Sequence, residues 1–136
     1  MKVNGISMRT IWPEPDGATV GIIDQTRLPH ELAIVRLSTL EDAAHAIRAM
    51  LVRGAPLIGA TAAYGVALAM RRAGDDAALE AACRTLLATR PTAVNLRWAI
   101  EDLRALLLPL PPRDRASAAY RRAGAIAEED VAISNV

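Results

Sequence analysis

Two arginines in this chain each lie immediately ahead of a predicted helix start. Arg53 opens the run Arg-Gly-Ala-Pro-Leu-Ile-Gly, and Arg90 opens the run Arg-Pro-Thr-Ala-Val-Asn-Leu. In both runs the proline falls where we expect the first helical residue, a position that needs no N–H and suits the fixed φ of proline. The start of a helix carries unpaired N–H groups and the positive end of the macrodipole. Both runs therefore predict places that attract anions.

Phosphate is the anion that these two runs suit best. A guanidinium group is always charged and donates two parallel hydrogen bonds to phosphate oxygens. If the two helix starts converge in the folded chain, Arg53 and Arg90 form a phosphate clamp. Local chemistry also allows a purely structural interpretation. In it, Gly54 ends one helix, Arg53 stabilises that helix C-terminus, and Arg90 is a solvated surface charge.

Three further residues in the same region have unusual helical positions. Asn95 lies one turn inside a predicted helix, where asparagine is unfavourable, so it predicts a hydrogen bond to a loop, to a ligand or within the core. Gly59 and Gly65 inside a predicted helix each cost about 1 kcal/mol relative to alanine. We expect the two glycines to permit close approach of a neighbouring helix, with ligand approach as the alternative.

The remaining reactive side chains show no catalytic or metal-binding pattern. His30 and His45 lie far apart in the sequence and Cys83 has no partner at a ligand spacing, so no metal site is predicted. No Ser/His/Asp signature, Walker loop or dinucleotide fingerprint occurs. Cys83 lies among alanines and leucines and is expected to be a small buried hydrophobe. The acidic residues 128–130 are expected to form a solvated helix face.

Composition points to one folded, soluble domain and argues against nucleic-acid binding. The 136 residues are 52% hydrophobic and 23% charged with a net charge of +1, and only 3% are aromatic. A basic stripe with interleaved stacking aromatics is absent, so no nucleic-acid partner is expected. The single cysteine fits a reducing, cytoplasmic location. The apolar stretch from Ala55 to Met70 is short for a membrane span and is predicted to be a buried helix.

The first part of the chain, residues 1–37, is predicted to be a small β region. Segments from Thr19 to Asp24 and from Leu32 to Leu37 are short, apolar and rich in β-branched residues. The link between them is too long for a tight two-residue hairpin. Residues Ile11 to Val20 contain two prolines and a glycine and are expected to form an irregular or edge segment. A small antiparallel sheet of three or fewer strands follows.

From residue 38 onward the pattern is helical, so residues 38–136 predict a bundle of about five helices and the fold class is α+β. Ser38 and Glu41 have the spacing of a capping box, with Ser38 as the N-cap. The predicted helices run from Ser38 to Gly54, from about Pro56 to Arg72, from Asp75 or Asp76 to about Ala88, from near Pro91 to before Pro109, and from near Asp114 onward. The last one shows no stop signal before Val136, so we expect the sequence to be the truncated N-terminal part of a longer protein.

Three segments in order and at matching spacing resemble the N-terminal part of the methylthioribose-1-phosphate isomerase family. They are Ile-Asp-Gln-Thr from Ile23, Arg-Gly-Ala-Pro from Arg53, and Arg-Pro-Thr-Ala-Val-Asn-Leu from Arg90. The superfamily also includes ribose-1,5-bisphosphate isomerase and regulatory subunits of the initiation-factor-2 nucleotide-exchange factor. The complete first and third segments favour the isomerase branch.

The resemblance implies a two-domain subunit of a homodimeric enzyme of methionine salvage. Its small N-terminal domain would correspond to this chain, and its Rossmann-like C-terminal domain would be absent here. The implied reaction converts the aldose 5-methylthioribose 1-phosphate to the ketose 5-methylthioribulose 1-phosphate, without a metal or nucleotide cofactor.

The resemblance also assigns substrate-binding residues. By motif, Arg53, Gly54, Ala55 and Arg90 would bind the substrate and hold its phosphate. The catalytic cysteine and aspartate of the family belong to the C-terminal domain, so no catalytic residue is assigned here and the chain alone is expected to be inactive. Leu57 stands where alanine is common in relatives.

Two other functions remain open from the sequence. The chain could belong to a non-catalytic regulatory subunit, related to the exchange-factor subunits, that binds a sugar phosphate or a partner protein. A downstream Thr-His-Cys-Asn-type segment followed by an aspartate would favour the enzyme. A bare helical interaction module is the third possibility, and it predicts no phosphate-dependent stabilisation near Arg53 and Arg90.

Overall fold

A computed structural model describes residues 2–3, 6–7, 11–24, 26, 30, 33–52 and 54–134, with the backbone alone for residues 2, 3, 6, 7, 55 and 129–134. Five short strands precede five helices in these ranges, which confirms the predicted α+β class. The strands are β1 (Lys2–Val3), β2 (Ile6–Ser7), β3 (Ile11–Pro13), β4 (Val20–Ile23) and β5 (Ile34–Leu37). The helices are α1 (Leu40–Arg48), α2 (Ala55–Arg72), α3 (Asp76–Leu87), α4 (Val94–Leu107) and α5 (Pro112–Ser134).

An antiparallel sheet in the order β3-β4-β5 contacts the helices, with β3 against α2 and α5 and β5 against α1. Its central strand β4 is buried along its whole length, as a strand covered on both faces must be. Pro13 pairs with Val20 at the edge of the sheet, where a residue without an N–H is tolerated. The predicted β segments and edge segment are therefore confirmed. β1 and β2 form a separate two-stranded antiparallel pair that the sequence analysis did not predict.

Helix α2 is the centre of the molecule and packs against the four other helices. The residues from Leu57 to Leu68 are all buried, because every face of this helix meets a neighbour. The predicted buried helix over the longest apolar stretch is thus confirmed. No helix in the described ranges is both long enough and apolar enough to span a membrane.

The two helical glycines permit close helix packing, as predicted. A Cβ built at Gly65 would lie 3.1 Å from the Cβ of Ala43 in α1 and 3.2 Å from the methyl groups of Leu86 in α3. A Cβ built at Gly59 would lie 3.2 Å from the carbonyl oxygen of Asn95 in α4. Tyr64 is the only aromatic side chain in the buried core of the described residues, and the helices approach each other at glycines and alanines.

The first helix begins one residue later than predicted, and its capping residues differ. Thr39, not Ser38, is the N-cap: its side chain accepts a hydrogen bond from the Asp42 amide at 3.1 Å. In turn, the Asp42 carboxylate accepts a hydrogen bond from the Thr39 amide at 3.2 Å and another from the Ser38 amide at 2.9 Å. Ser38 and Thr39 are equally good cap residues, and the aspartate one position after Glu41 decides between them.

The same helix also ends earlier than predicted, at Arg48 instead of Gly54. The Leu51 amide donates to the Ala46 carbonyl at 2.9 Å and the Met50 amide donates to the Ile47 carbonyl at 3.2 Å. These two bonds form a Schellman motif with Met50 in the left-handed region at φ 62°. A methionine rarely adopts this conformation, so its residue type does not predict a helix end at this position.

The only cysteine of the sequence is expected to be unreactive in the folded protein. Cys83 in α3 is buried, and burial raises the pKa of its thiol to about 11, with a smaller contribution from the negative charge of Glu80. Since the thiolate is the reacting species, the folded chain should react with a thiol reagent at pH 8 about a hundredfold more slowly than the urea-unfolded chain. Absorbance after adding an aromatic disulfide measures both rates, and equal rates would contradict the burial.

Candidate anion site at two helix starts

The start of α2 carries one half of the predicted site. Gly54 is its N-cap with φ 91°, a conformation that glycine adopts without strain, and the Gly54 carbonyl accepts from the Ile58 amide at 3.0 Å. A proline lies in the first turn, as the sequence predicted. Ala55 is the first residue of the helix. Arg53 and the side chain of Ala55 lie outside the described residues, so their assignment to substrate binding stays a prediction.

The second half of the site is built differently from the prediction. Helix α4 begins at Val94 with Ala93 as its N-cap, three residues after the expected start at Pro91. Residues 90–93 form a turn in which the Ala93 amide donates to the Arg90 carbonyl at 3.0 Å. Proline is common at the second position of such a turn, because its fixed φ fits there. Pro91 is therefore part of this turn, and the prediction that it is the first residue of the helix was wrong.

Side-chain hydrogen bonds hold this turn at both ends. Thr89 donates its hydroxyl to the Leu86 carbonyl at 2.5 Å, so it closes the end of α3 and does not cap α4. Arg97, in the first turn of α4, donates from Nη2 to the Pro91 carbonyl at 3.2 Å. The sequence analysis did not single out Arg97, because a contact from a helix back to its preceding turn has no spacing signature.

The N-terminal part of α2 packs against the first turn of α4. Gly59 is the fifth residue of α2 and Asn95 the second residue of α4, and a Cβ built on Gly59 would lie 3.2 Å from the Asn95 carbonyl oxygen. The Ala99 Cβ lies 3.7 Å from the same position. The beginning of α2 therefore packs against the beginning of α4, and the convergence of the two N-termini on one anion stays a prediction. The Asn95 side chain is exposed, not buried in a structural hydrogen bond.

Both helix starts leave their positive ends uncompensated. Neither α2 nor α4 has a side-chain cap hydrogen bond, and neither has an acidic residue in its first turn. The starts of α1 and α3 differ, since Thr39 and Asp75 cap them and each first turn carries an acidic residue. Unpaired N–H groups and the macrodipole therefore favour an anion at α2 and α4 more than at the other two.

Arg90 is half-buried in the turn ahead of α4. Within the part of the chain that the structure describes, no hydrogen bond or ion pair joins its guanidinium to another residue. The group is thus available to an external anion. The described residues include no group of three or more His, Cys, Asp and Glu side chains that could hold a metal ion. The arrangement can bind an anion, and its described side chains near the turn include no acid–base pair.

A comparison with protein families matches residues 51–136 to the Initiation factor 2 subunit family. These residues include the helix starts of both α2 and α4. Among curated proteins, the methylthioribose-1-phosphate isomerase of Rhodospirillum rubrum is 63% identical over 134 residues, which are 98% of this chain and 34% of that protein. The chain therefore spans about a third of the length of this relative.

Two crystal structures share the fold. The 5-methylthioribose 1-phosphate isomerase from Pyrococcus horikoshii has a TM-score of 0.81 at 36% identity, covering 90% of this chain and 36% of that one. Subunit delta of the translation initiation factor eIF-2B from A. fulgidus has a TM-score of 0.82 at 37% identity, covering 92% and 38%. Since the family match spans more than half of the sequence, this chain belongs to the Initiation factor 2 subunit family.

Proposed function

We propose that this chain is the N-terminal substrate-binding part of a methylthioribose-1-phosphate isomerase. The starts of α2 and α4 hold the phosphate of 5-methylthioribose 1-phosphate, and Arg53, Gly54, Ala55 and Arg90 contact it. The whole enzyme converts this aldose to 5-methylthioribulose 1-phosphate. It acts in the cytoplasm as a homodimer. The high identity to the Rhodospirillum rubrum isomerase over nearly the whole chain supports this assignment.

The observation that carries the proposal is the packing of Gly59, early in α2, against Asn95 in the first turn of α4, where both helices lack a side-chain N-cap. One uncapped start is a common feature, whereas two on neighbouring helices can attract the same anion. The unpaired, half-buried Arg90 adds a full positive charge at the same end of α4. A phosphate on a sugar supplies the matching anion with several acceptor oxygens.

This half-site would contribute positioning to the reaction. The phosphate on the anomeric carbon blocks spontaneous ring opening, so the enzyme must open the ring by acid catalysis. A bound phosphate holds the anomeric carbon in a fixed position relative to the catalytic groups. The reacting groups are then already oriented for the chemical step. The catalytic cysteine and aspartate implied by the family resemblance lie in the second domain. We therefore expect no isomerase activity from these 136 residues alone.

Replacing Arg90 with methionine should weaken phosphate binding at least tenfold. Methionine has a similar length and no charge, so the change removes the guanidinium while keeping the side-chain volume near the turn. A charge-assisted contact of about 1.5–3 kcal/mol corresponds to a loss of roughly ten- to a hundredfold. Calorimetric titration with 5-methylthioribose 1-phosphate measures the affinity. Arg121→Met removes an exposed arginine from α5 and is the control, and equal affinities of both variants would reject the assignment of Arg90.

A second candidate function is a non-catalytic regulatory subunit, which the TM-score of 0.82 to the eIF-2B delta subunit favours. A chimera separates the two candidates. The chain replaces the matching N-terminal region of the Rhodospirillum rubrum isomerase, and sugar-phosphate isomerisation is followed. Activity that depends on Arg90 supports the enzyme. A folded chimera that binds the substrate without isomerising it supports the regulatory subunit.

A further inference from the structure

The turn that carries Arg90 is held by a residue outside the assigned substrate-binding set. Arg97 lies on the fourth position of α4, and its Nη2 donates to the carbonyl oxygen of Pro91 across 3.2 Å. Its backbone amide donates to the Ala93 carbonyl as part of the helix. Arg97 thus joins the first turn of α4 to the residue that directly follows Arg90.

The turn has few other restraints on its outer side. Pro91 and Thr92 are exposed, and the proline has no N–H with which to form a bond of its own. Inside the turn, the Ala93 amide bonds the Arg90 carbonyl at 3.0 Å. The Arg97 contact is therefore a side-chain restraint on the orientation of the peptide between Pro91 and Thr92 relative to α4.

We propose, on the basis of the proposed function, that Arg97 is a positioning residue for the sugar-phosphate site. Its guanidinium fixes the Pro91 carbonyl, and this holds the Arg90 backbone where its side chain meets a phosphate lying at the starts of α2 and α4. In this role Arg97 acts through the turn, with one guanidinium N–H on the Pro91 carbonyl, and direct contact with the phosphate is the competing role that the experiment distinguishes. The ordering of the turn before binding lowers the entropic cost of binding.

The experiment titrates the 136-residue chain with inorganic phosphate and, separately, with 5-methylthioribose 1-phosphate. Arg97→Met removes both the donor and the charge, and Arg97→Lys keeps a charged donor of similar reach. Arg121→Met removes the same charge from an exposed position on α5. We expect Arg97→Met to bind both ligands about threefold to tenfold more weakly, the range for one hydrogen bond, with Arg97→Lys close to the unsubstituted chain.

Two readouts separate positioning from other effects. The unfolding temperature of each variant reports on structure, and we expect it to be unchanged for Arg97→Met because the side chain is exposed. The ratio of affinities between the unsubstituted chain and Arg97→Met is measured at about 0.1 M and at 0.5 M salt. A long-range charge effect shrinks as salt screens it, whereas a positioning effect keeps the ratio constant.

The possible outcomes distinguish a failure of the proposed Arg97 role from a failure of the proposed phosphate site. If the unsubstituted chain binds, Arg90→Met loses binding and Arg97→Met equals Arg121→Met, the role of Arg97 is overturned while the proposed function stands. A loss for Arg97→Met as large as that for Arg90→Met makes Arg97 a direct ligand and overturns positioning. If the unsubstituted chain binds neither ligand, both the proposed phosphate site and the role of Arg97 are overturned.

Discussion

Replacing Arg115 with methionine should lower the free energy of unfolding by about 3–5 kcal/mol, because several backbone carbonyls lose their shared, buried charged donor. Arg115 lies in the first turn of α5 and only 3% of its surface is exposed. Its Nε donates to the carbonyls of Leu107 at 2.9 Å and Leu110 at 3.1 Å. Its Nη1 donates to Gly74 at 2.9 Å and its Nη2 to Leu108 at 3.1 Å.

Three of these carbonyls belong to the end of α4 and the connection that follows it, where a helix leaves its last acceptors unpaired. The fourth belongs to the connection between α2 and α3. Methionine fills much of the same volume but donates no hydrogen bond, so these acceptors lose a charged donor inside the protein. The ion pair of Arg115 with Asp76, at 2.7 Å, adds less, because the Asp76 side chain is 75% exposed.

Urea unfolding followed by circular dichroism measures the change. Arg113→Met is the matched control: Arg113 lies two residues earlier in α5 and is exposed, so its replacement should change the stability by less than about 0.5 kcal/mol. Asp76→Asn should also cost less than about 1 kcal/mol. A loss for Arg115→Met no larger than that for Arg113→Met would show that the carbonyl network does not stabilise the fold.

The sequence predicted the helices well where hydrophobic periodicity and local breakers agreed. Helices α2 and α3 lie within one residue of their expected bounds, and Gly59 and Gly65 pack against neighbouring helices as expected. These features follow from local propensity and from the need of an apolar helix to be buried. From the sequence, the convergence of the α2 and α4 starts could be stated only as a condition for the phosphate clamp, because residue spacing does not show which helix ends lie close together.

The sequence-based predictions were wrong or incomplete where the role of a residue differs from the usual preference of its type, or depends on contacts far away in the chain. Pro91 belongs to a turn and not to the helix start, and Met50 ends α1 in a conformation that its type disfavours. Arg115 gave no signal, because its acceptors are as many as 41 positions away in the chain. Gly74 follows the end of α2, but it lacks the positive φ of a helix-stop glycine, which Gly17 and Gly54 do have.

The structure gives Gly74 a different role, and the second large effect is expected there. A Cβ built on Gly74 would lie 2.5 Å from the carbonyl oxygen of Pro112, the first residue of α5. Backbone atoms cannot move away as the end of a flexible side chain can, so Gly74→Ala must shift the connection between α2 and α3 or the start of α5. Overpacking of this kind costs about 1–3 kcal/mol.

The loss should fall at or above the upper end of that range, because the Gly74 carbonyl also accepts from Arg115. A shift of Gly74 lengthens that bond, so Gly74→Ala also weakens the network that Arg115→Met removes. The two substitutions share a partner, and their effects should therefore be less than additive. A double variant that is more stable than the sum of the two single losses predicts, measured by urea unfolding, supports the shared network, whereas full additivity contradicts it.

A glycine-to-alanine change at Gly124 should have the opposite effect on the free energy of unfolding from the same change at Gly74. Gly124 lies inside α5, and a Cβ built there would meet the Tyr64 hydroxyl oxygen at 3.6 Å, an ordinary contact. Alanine favours helix over glycine by about 1 kcal/mol, so Gly124→Ala should raise the free energy of unfolding by roughly 0.5–1 kcal/mol. The two glycine-to-alanine changes thus differ only in what the new methyl group meets. If Gly74→Ala were as stable as Gly124→Ala, the approach of Pro112 to Gly74 would not be a constraint on the fold.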